Sequence, residues 1–266
     1  GGLRPGASAG ARWHCWLRRP RCAARTMKAA ISWRCCDATS CRAAGAAALR
    51  QSLVAQHGAE RVKSVGCLRL CGQGPLAAAD HEDGRVELFG GVAAERQLDP
   101  EHPFFALQRS VVLERCGLVD PGCIDDALAQ GAYAALAACR QLAPKAVVEE
   151  LERSGLRGRG GAGYPTGRKW QLVAAQPGSS KVVVCNADEG DPGAFMDRAV
   201  LEGDPHRLLE GMAIAAHAVG ANEGFIYVRA EYPLAIERLR GAIAAAEAKG
   251  LLAGFAMQLR IGAGAY

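Results

Sequence analysis

The densest constraint on this chain is GLRGRGGAGYPTGRKW (Gly155–Trp170), where Gly158, Gly160, Gly161, Gly163 and Gly167 fall within ten residues. Glycine tolerates positive φ and carries no Cβ, so such a run lets backbone N–H groups close around an anion. Arg157, Arg159, Arg168 and Lys169 add positive charge, the complement of a phosphate-bearing ligand such as a nucleotide or flavin. The spacing Gly158-x-Gly160-Gly161-x-Gly163 is not the dinucleotide-fold G-x-G-x-x-G. It is not a Walker A loop either, since Trp170 rather than Ser or Thr follows Lys169. A strand over Lys181–Cys185 (KVVVC) and a polar loop, NADEGDPGAFMDR (Asn186–Arg198), come next. On residues alone, two plainer alternatives stay open: a flexible glycine loop with surface arginines, and a solvated acidic turn at Asp188, Glu189 and Asp191.

Length and charge narrow the class. The 266 residues, half of them apolar, suffice for two modest domains. The longest apolar region, Met212–Val219, is interrupted by His217 and ends at Gly220, far short of a bilayer span, so a soluble, cytoplasmic protein without membrane insertion is expected. The net charge is +5, but residues 1–26 hold six arginines and no acid; removing them leaves −1 for the remainder. The basic balance therefore belongs to the N-terminal stretch, and with few aromatics for base stacking no nucleic-acid partner is expected. Residues 1–26 have neither periodicity nor the apolar core of a signal peptide; they read as a disordered basic extension, with the folded part starting at Met27.

Residues 27–95 read as a small α/β unit: a strand over Lys28–Trp33, a helix over Arg42–His57 and a strand over Arg61–Gly66. A hairpin of Leu76–Ala79 with Arg85–Phe89 completes it. Cys36 and Cys41 (C-x4-C) follow the first strand, and Cys67 and Cys71 (C-x3-C) follow the second. A β–α–β arrangement brings both strand ends to one edge, so four thiolates can converge there and hold a [2Fe–2S] cluster or a zinc ion; unliganded cysteines are the plain alternative. Zinc sites favour C-x2-C knuckles, which points to iron. Cys35 is a spare thiol whose side chain points the other way along a strand. The eleven cysteines, odd in number and clustered, argue for a reducing compartment rather than a disulfide framework.

Residues 96–150 read as a helical linker, with helices over Phe104–Cys116, Ile124–Ala129, Ala132–Leu142 and Lys145–Arg153. Cys116, Cys123 and Cys139 lack ligand spacing. Asp125 and Asp126 are first-turn carboxylates. Beyond residue 151, His206 and His217 fall in a helical pattern and read as structural. Leu234–Lys249 reads as a helix ended by Gly250, followed by a terminal strand in LRIGAGAY.

Three segments in order, GLRGRGGAGYPTGRKW, CNADEGDPGAFMDRAVLEGDPHRLLEGMAIA and FIYVRAEYPLAIERL, closely resemble the family of NADH-binding flavoproteins. That family includes the FMN subunit of complex I, the diaphorase subunit of bidirectional NAD-reducing nickel–iron hydrogenases and the beta subunit of NAD-dependent formate dehydrogenases. The resemblance runs from about Leu151 to Tyr266. It implies that Gly158, Arg159, Lys169, Asn186, Asp188 and Glu189 hold FMN. It implies that Gly160, Gly161, Ala162, Gly163, Tyr164, Asp191 and Tyr266 approach NAD(H). Arg229 and Glu231 would pack near this site. The earlier part, with CLRLCGQGP at its second cysteine pair, resembles the thioredoxin-like [2Fe–2S] ferredoxin of the small complex I electron-transfer subunit.

The architecture implied is α/β. An N-terminal thioredoxin-like [2Fe–2S] domain (27–95) and a helical linker (96–150) precede an FMN/NADH-binding domain of the complex I flavoprotein type (151–266). The fusion of the two parts, and the stretch from Phe104 to Asp126, resemble the hydrogenase diaphorase branch most. In the family GAGAY leads into a Cys-Gly-Glu-Glu segment and, later, a [4Fe–4S] site. The resemblance thus implies that this chain is a fragment of a longer subunit with an incomplete flavin domain; Leu251–Gln258 is also shorter than usual. The implied activity is NADH dehydrogenase or diaphorase. Hydride passes between NAD(H) and FMN, electrons pass singly to iron–sulfur clusters, and hydrogenase, formate dehydrogenase or quinone-linked subunits are the partners. No catalytic acid, base or nucleophile is expected. The competing class is a non-catalytic [2Fe–2S] electron carrier.

Overall fold

The computed structural model describes residues 32–99, 102–103, 107–178 and 180–264. The basic extension 1–26, Met27, Lys28–Ile31, Phe104–Ala106 and Tyr266 lie outside the described residues.

The N-terminal part is a five-stranded mixed sheet in the order β2-β1-β3-β4-β5. Its strands are β1 (Ser32–Cys36), β2 (Val62–Val65), β3 (Leu76–Asp80), β4 (Val86–Gly90) and β5 (Arg96–Leu98). β1 and β2 are parallel, with Cys36 opposite Val65, so their ends share an edge as the β–α–β argument requires. β3 and β4 form the expected antiparallel hairpin.

Three details differ from the sequence expectations. β1 extends through Cys36, so Cys35 and Cys36 lie on the strand rather than after it, paired with Ser64 and Val65. The helix expected over Arg42–His57 is broken into α1 (Thr39–Ala43) and α2 (Ala46–His57). The break is Gly45, at φ 101°, a conformation that L side chains avoid. β5 falls where the linker was expected to start. Strand alternation sorts the two adjacent cysteines: Cys35 packs with Trp33, Leu49 and Leu53, Cys36 with Cys41, Ala46 and Cys67.

Between the two sheets lie α3 (Ile124–Ala129), α4 (Ala134–Cys139) and α5 (Pro144–Ser154). The helix expected over Phe104–Cys116 is not formed across 107–116, which is a series of turns such as Cys116 N to Leu113 O at 3.2 Å. β-Branched Val111 and Val112 disfavour helix there. The buried Arg115 is drawn instead to Asp204, Nε to Oδ2 at 2.7 Å.

The C-terminal part is a parallel sheet, β6 (Val182–Ala187), β7 (Glu223–Arg229) and β8 (Ala256–Gly262), in the order β6-β7-β8. α6 (Thr166–Ala174) leads into β6; α7 (Met196–Gly203) and α8 (Pro205–Val219) connect β6 to β7; α9 (Pro233–Ala248) connects β7 to β8. The main core joins Leu209, Met212, Ile226, Val228, Ala235 and Leu239 beneath this sheet. The opposite face, with Val182, Val184 and Tyr227, is exposed. Both histidines are structural: Tyr133 Oη lies 2.9 Å from His206 Nδ1, and His217 Nε2 lies 3.0 Å from Leu142 O. Among the described residues no helix is long and apolar enough to cross a membrane.

The two sheets are joined through α7. Gly66, just after β2, meets Gly203 so closely that a Cβ at Gly66 would lie 2.3 Å from the Gly203 Cα. Arg238 Nη2 reaches Asp37 Oδ2 at 2.9 Å, and the buried Glu202 carboxylate binds Thr39.

Candidate functional site

The glycine loop is a closed ribbon. Arg157 and Pro165 form an antiparallel bridge, Gly158 N donates to Tyr164 O at 2.9 Å, and Thr166 N donates to Leu156 O at 2.9 Å. Arg157 Nη1 donates across the ribbon to Gly163 O at 3.0 Å, so this arginine braces the loop. Gly161 and Gly163 sit at φ 101° and 61°, which is what their glycines are for locally. A Cβ at Gly160, Gly161 or Gly163 would meet nothing within 4 Å; the open space over the backbone leaves room for a ligand. Ala162, Tyr164, Arg159, Arg168 and Lys169 are exposed around it, and the N-terminus of α6 follows at Thr166, where free N–H groups and the helix dipole favour an anion.

Gly167 has a different task. A Cβ there would stand 2.6 Å from Glu152 Cγ and 2.7 Å from Glu152 N, so it allows α6 to lie against α5. Lys181 Nζ donates to Ala174 O at 2.7 Å. The last turn of α6 therefore lies beside the start of β6, and the glycine loop lies at the helix's far end.

The second component is the carboxyl edge of the parallel sheet, the usual place for ligands in open α/β folds. Register pairs Ala187 with Val228 and Arg229 with Gly262, so Asp188–Glu189, Ala230–Glu231 and Ala263–Gly264 leave the sheet together. Asn186 is the penultimate residue of β6, and its Oδ1 accepts from Asp188 N at 3.0 Å. Asp188 Oδ1 is buried and has no hydrogen-bond partner among the described residues. A buried carboxylate oxygen in that state calls for a donor from outside the chain, and a flavin with its ring N–H and ribityl hydroxyls supplies donors. The residues present therefore fit FMN.

Glu189 is already engaged. Its Oε1 accepts from Asp197 N at 2.9 Å and its Oε2 from Arg198 N at 3.1 Å, which caps α7; Tyr232 Oη also donates to Oε2 at 3.0 Å. Burial, then the Glu189 hydrogen bond, pushes the Tyr232 hydroxyl up to about 12. Burial, then the Glu189 charge, raises the Asp197 carboxyl above its usual range. Arg229 Nη1 donates to the Glu189 backbone carbonyl, and Glu231 Oε1 accepts from Gly264 N at 3.1 Å. These two residues thus hold the loop after β6 to the segment after β8. Asp191 is exposed, in a turn closed by Ala194 N to Asp191 O at 3.0 Å.

The third component is the set of thiols. Cys36 ends β1, Cys41 lies on α1, Cys67 follows β2 and Cys71 opens a short 3-10 turn, Cys71–Gln73. Cys36, Cys41 and Cys67 pack in one buried cluster, and Cys71 follows Cys67 by four residues. Cys36, Cys41 and Cys67 are buried and Cys71 is exposed. Arg69 N points at Cys67 Sγ (3.3 Å) and Leu68 N at Cys36 Sγ (3.5 Å), the backbone donors a thiolate ligand uses. Hydrogen bonding to Cys36 holds the Cys41 thiol below its ordinary value, and the same contact pushes Cys36 up to about 12. Among the described residues no three His, Cys, Asp or Glu side chains close around a point for a single metal ion. Cys116, buried beside Cys67 and Gly203, Cys123 and Cys139 lie outside this set.

Sequence reasoning did not find Arg198, Phe195 or Tyr232. The Arg198 guanidinium lies 4.1 Å from the Phe195 ring centroid and 5.8 Å from that of Tyr232. Its only sequence signal is its place in the FMDR run that ends the polar loop.

The NADP-reducing hydrogenase subunit HndC of Solidesulfovibrio fructosivorans is 50% identical over 60% of this chain and 34% of its own length. A NADH-quinone oxidoreductase subunit of Aquifex aeolicus (strain VF5) is 45% identical over 54% of this chain and 35% of its own length. The crystal structure of NAD+-reducing [NiFe]-hydrogenase in the H2-reduced state aligns with 90% of this chain and 44% of that chain, at 28% identity and a TM-score of 0.47. The chain spans about a third of the length of the curated relatives it matches. Residues 151–266 match the family model described as Nuo51 FMN-binding domain.

Proposed function

We propose that this chain carries the NADH-oxidising flavin module of a multi-subunit redox complex, with one [2Fe–2S] cluster on the same polypeptide. The observation that carries the flavin half is the partnerless, buried Asp188 Oδ1 at the carboxyl edge of a parallel sheet within a segment matching an FMN-binding domain. When bound, FMN takes hydride from NADH and releases electrons singly. The chain's own residues bind and orient. The backbone of Gly158, with Arg159 and Lys169, receives the phosphate end; Asn186 and Asp188 receive the ribityl and ring groups. Glu189 positions this loop by capping α7 rather than through a free carboxylate. The open backbone of Gly160–Gly163 and the exposed Tyr164 ring form the face that NAD(H) approaches, with Asp191 at its nicotinamide end. Tyr266 belongs to the same proposed face.

Residues 27–95 form the cluster domain, of the thioredoxin-like type, with Cys36, Cys41, Cys67 and Cys71 as ligands; residues 96–150 link it to the flavin domain at 151–266. The thiol set and its backbone donors support this assignment. The nine described cysteines are all free, as in a reducing cytoplasm. The hydrogenase branch is favoured over the complex I branch by the fusion of both units in one chain; iron–sulfur and hydrogenase subunits are the partners.

The test is anaerobic addition of NADH to the cofactor-reconstituted protein. Loss of the flavin's visible absorbance, followed by the EPR signal of a reduced cluster, is the expected result. A folded protein with a cluster but no bound flavin would instead support a plain electron carrier.

A further inference from the structure

We propose that Phe195 is the aromatic platform on which the flavin ring stacks, with Arg198 holding that platform in place. This deepens the flavin reading above and rests on it. Phe195 is 47% exposed in an otherwise polar loop. Its backbone is fixed on both sides. Just before it, Ala194 N donates to Asp191 O at 3.0 Å; its own carbonyl accepts from Ala199 N at 3.0 Å, the first bond of α7. Two free N–H groups of that helix, from Asp197 and Arg198, are taken by the Glu189 carboxylate at 2.9 and 3.1 Å. Glu189 directly follows Asp188, whose buried Oδ1 has no partner among the described residues. The ring therefore stands at the loop that receives the flavin.

The side chain is held as well. The Arg198 guanidinium covers one face of the ring, 4.1 Å from its centroid. That guanidinium is itself fixed. The Arg198 side chain is 14% exposed, its Nη2 donates to Ser40 Oγ at 3.2 Å, its Nε lies 4.0 Å from Glu202 Oε1, and the Tyr232 ring centroid is 5.8 Å from its central carbon. A cation anchored over one face steadies the ring and leaves its exposed area to the opposite face and edge. The isoalloxazine of a flavin is a broad planar aromatic, and offset stacking on such a ring adds attraction beyond the apolar area it buries. This contact takes no part in recognising the phosphate, which falls to the glycine loop and Lys169. The ring end and the phosphate end of the ligand are therefore separable by mutation.

The test is fluorescence titration of FMN and of riboflavin with the full chain, comparing wild type with Phe195→Ala, Phe195→Leu and Phe195→Tyr. Phe195→Ala and Phe195→Leu should weaken both flavins by the same factor, about fivefold, the loss of one stacking contact. Phe195→Tyr keeps the ring and should bind both as wild type does. Arg198→Gln should weaken both flavins in equal proportion, by less than Phe195→Ala, because the ring stays but loses its anchor. Urea midpoints of the Phe195 variants should match wild type, since the side chain is half exposed, so the loss of affinity is not a loss of fold. Unchanged affinity in Phe195→Ala, wild-type affinity in Phe195→Leu, or a loss confined to FMN would overturn this proposal and leave the flavin site standing. A wild-type protein that binds neither flavin would overturn the flavin reading, and this proposal with it.

Discussion

Glu202, 1% exposed on α7, receives both the backbone N–H and the hydroxyl of Thr39, at 2.9 and 2.5 Å. Thr39 lies between Cys36 and Cys41, so a carboxylate of the C-terminal part holds the first thiol loop of the N-terminal part. A buried carboxylate with charge-assisted donors is costly to remove, because the donors lose their partner in a place water does not reach. Glu202→Ala is expected to lower stability by about 3 kcal/mol in urea unfolding and to speed amide exchange at Thr39. Glu202→Gln, which keeps an acceptor, should cost less.

The contact between Gly66 and Gly203 makes an ordered prediction. An added methyl at Gly66 meets backbone, the Gly203 Cα at 2.3 Å, whereas one at Gly203 first meets the Cys116 sulfur at 2.8 Å. A side chain can turn aside and a backbone cannot. Gly66→Ala should destabilise by about 1–3 kcal/mol, and by more than Gly203→Ala, in thermal melts of the two variants. The reverse order would show that α7 and β2 are not in this contact.

His206 gives the pH dependence. It is buried against Tyr133, with Asp204 and Arg115 nearby. Burial is the main cause of its lowered pKa; Asp204 works against that and Arg115 with it. The unfolded chain therefore binds a proton near pH 6.5 that the folded chain does not. The contribution of neutral His206 is fully present above about 6.5 and is lost as pH falls below that through the folded value. Urea midpoints should decline from pH 7 to pH 5.5, and His206→Gln should flatten that slope.

The β3–β4 hairpin and the parallel pairing of β1 with β2 were legible because each follows from local pattern. The shared edge of β1 and β2, which places Cys36 and Cys67 near each other, was legible too. The tasks of individual glycines were not. Gly161 and Gly163 need positive φ, which density suggests, but Gly66, Gly167 and Gly203 are glycine because distant backbones approach. Glu189 looks like a ligand in sequence because nothing local shows that α7 begins seven residues later and needs its cap. Arg198 was missed for the same reason: Ser40 is far away in sequence and meets it only once the two sheets are packed.

Lys169 separates binding of the phosphate from binding of the ring. It is exposed on the first turn of α6, beside the open glycine backbone. Lys169→Gln should weaken FMN binding by about tenfold, the loss of one charge-assisted contact of about 1.4 kcal/mol. Riboflavin, lacking the phosphate, should bind both forms equally in fluorescence titrations.

The most direct measurement is the binding of FMN and of riboflavin to the purified wild-type protein by flavin fluorescence quenching. The account predicts one FMN per chain, with riboflavin bound at least tenfold more weakly because the glycine loop and the N-terminus of α6 recognise the phosphate. A folded protein that binds neither flavin, or both equally, would contradict it.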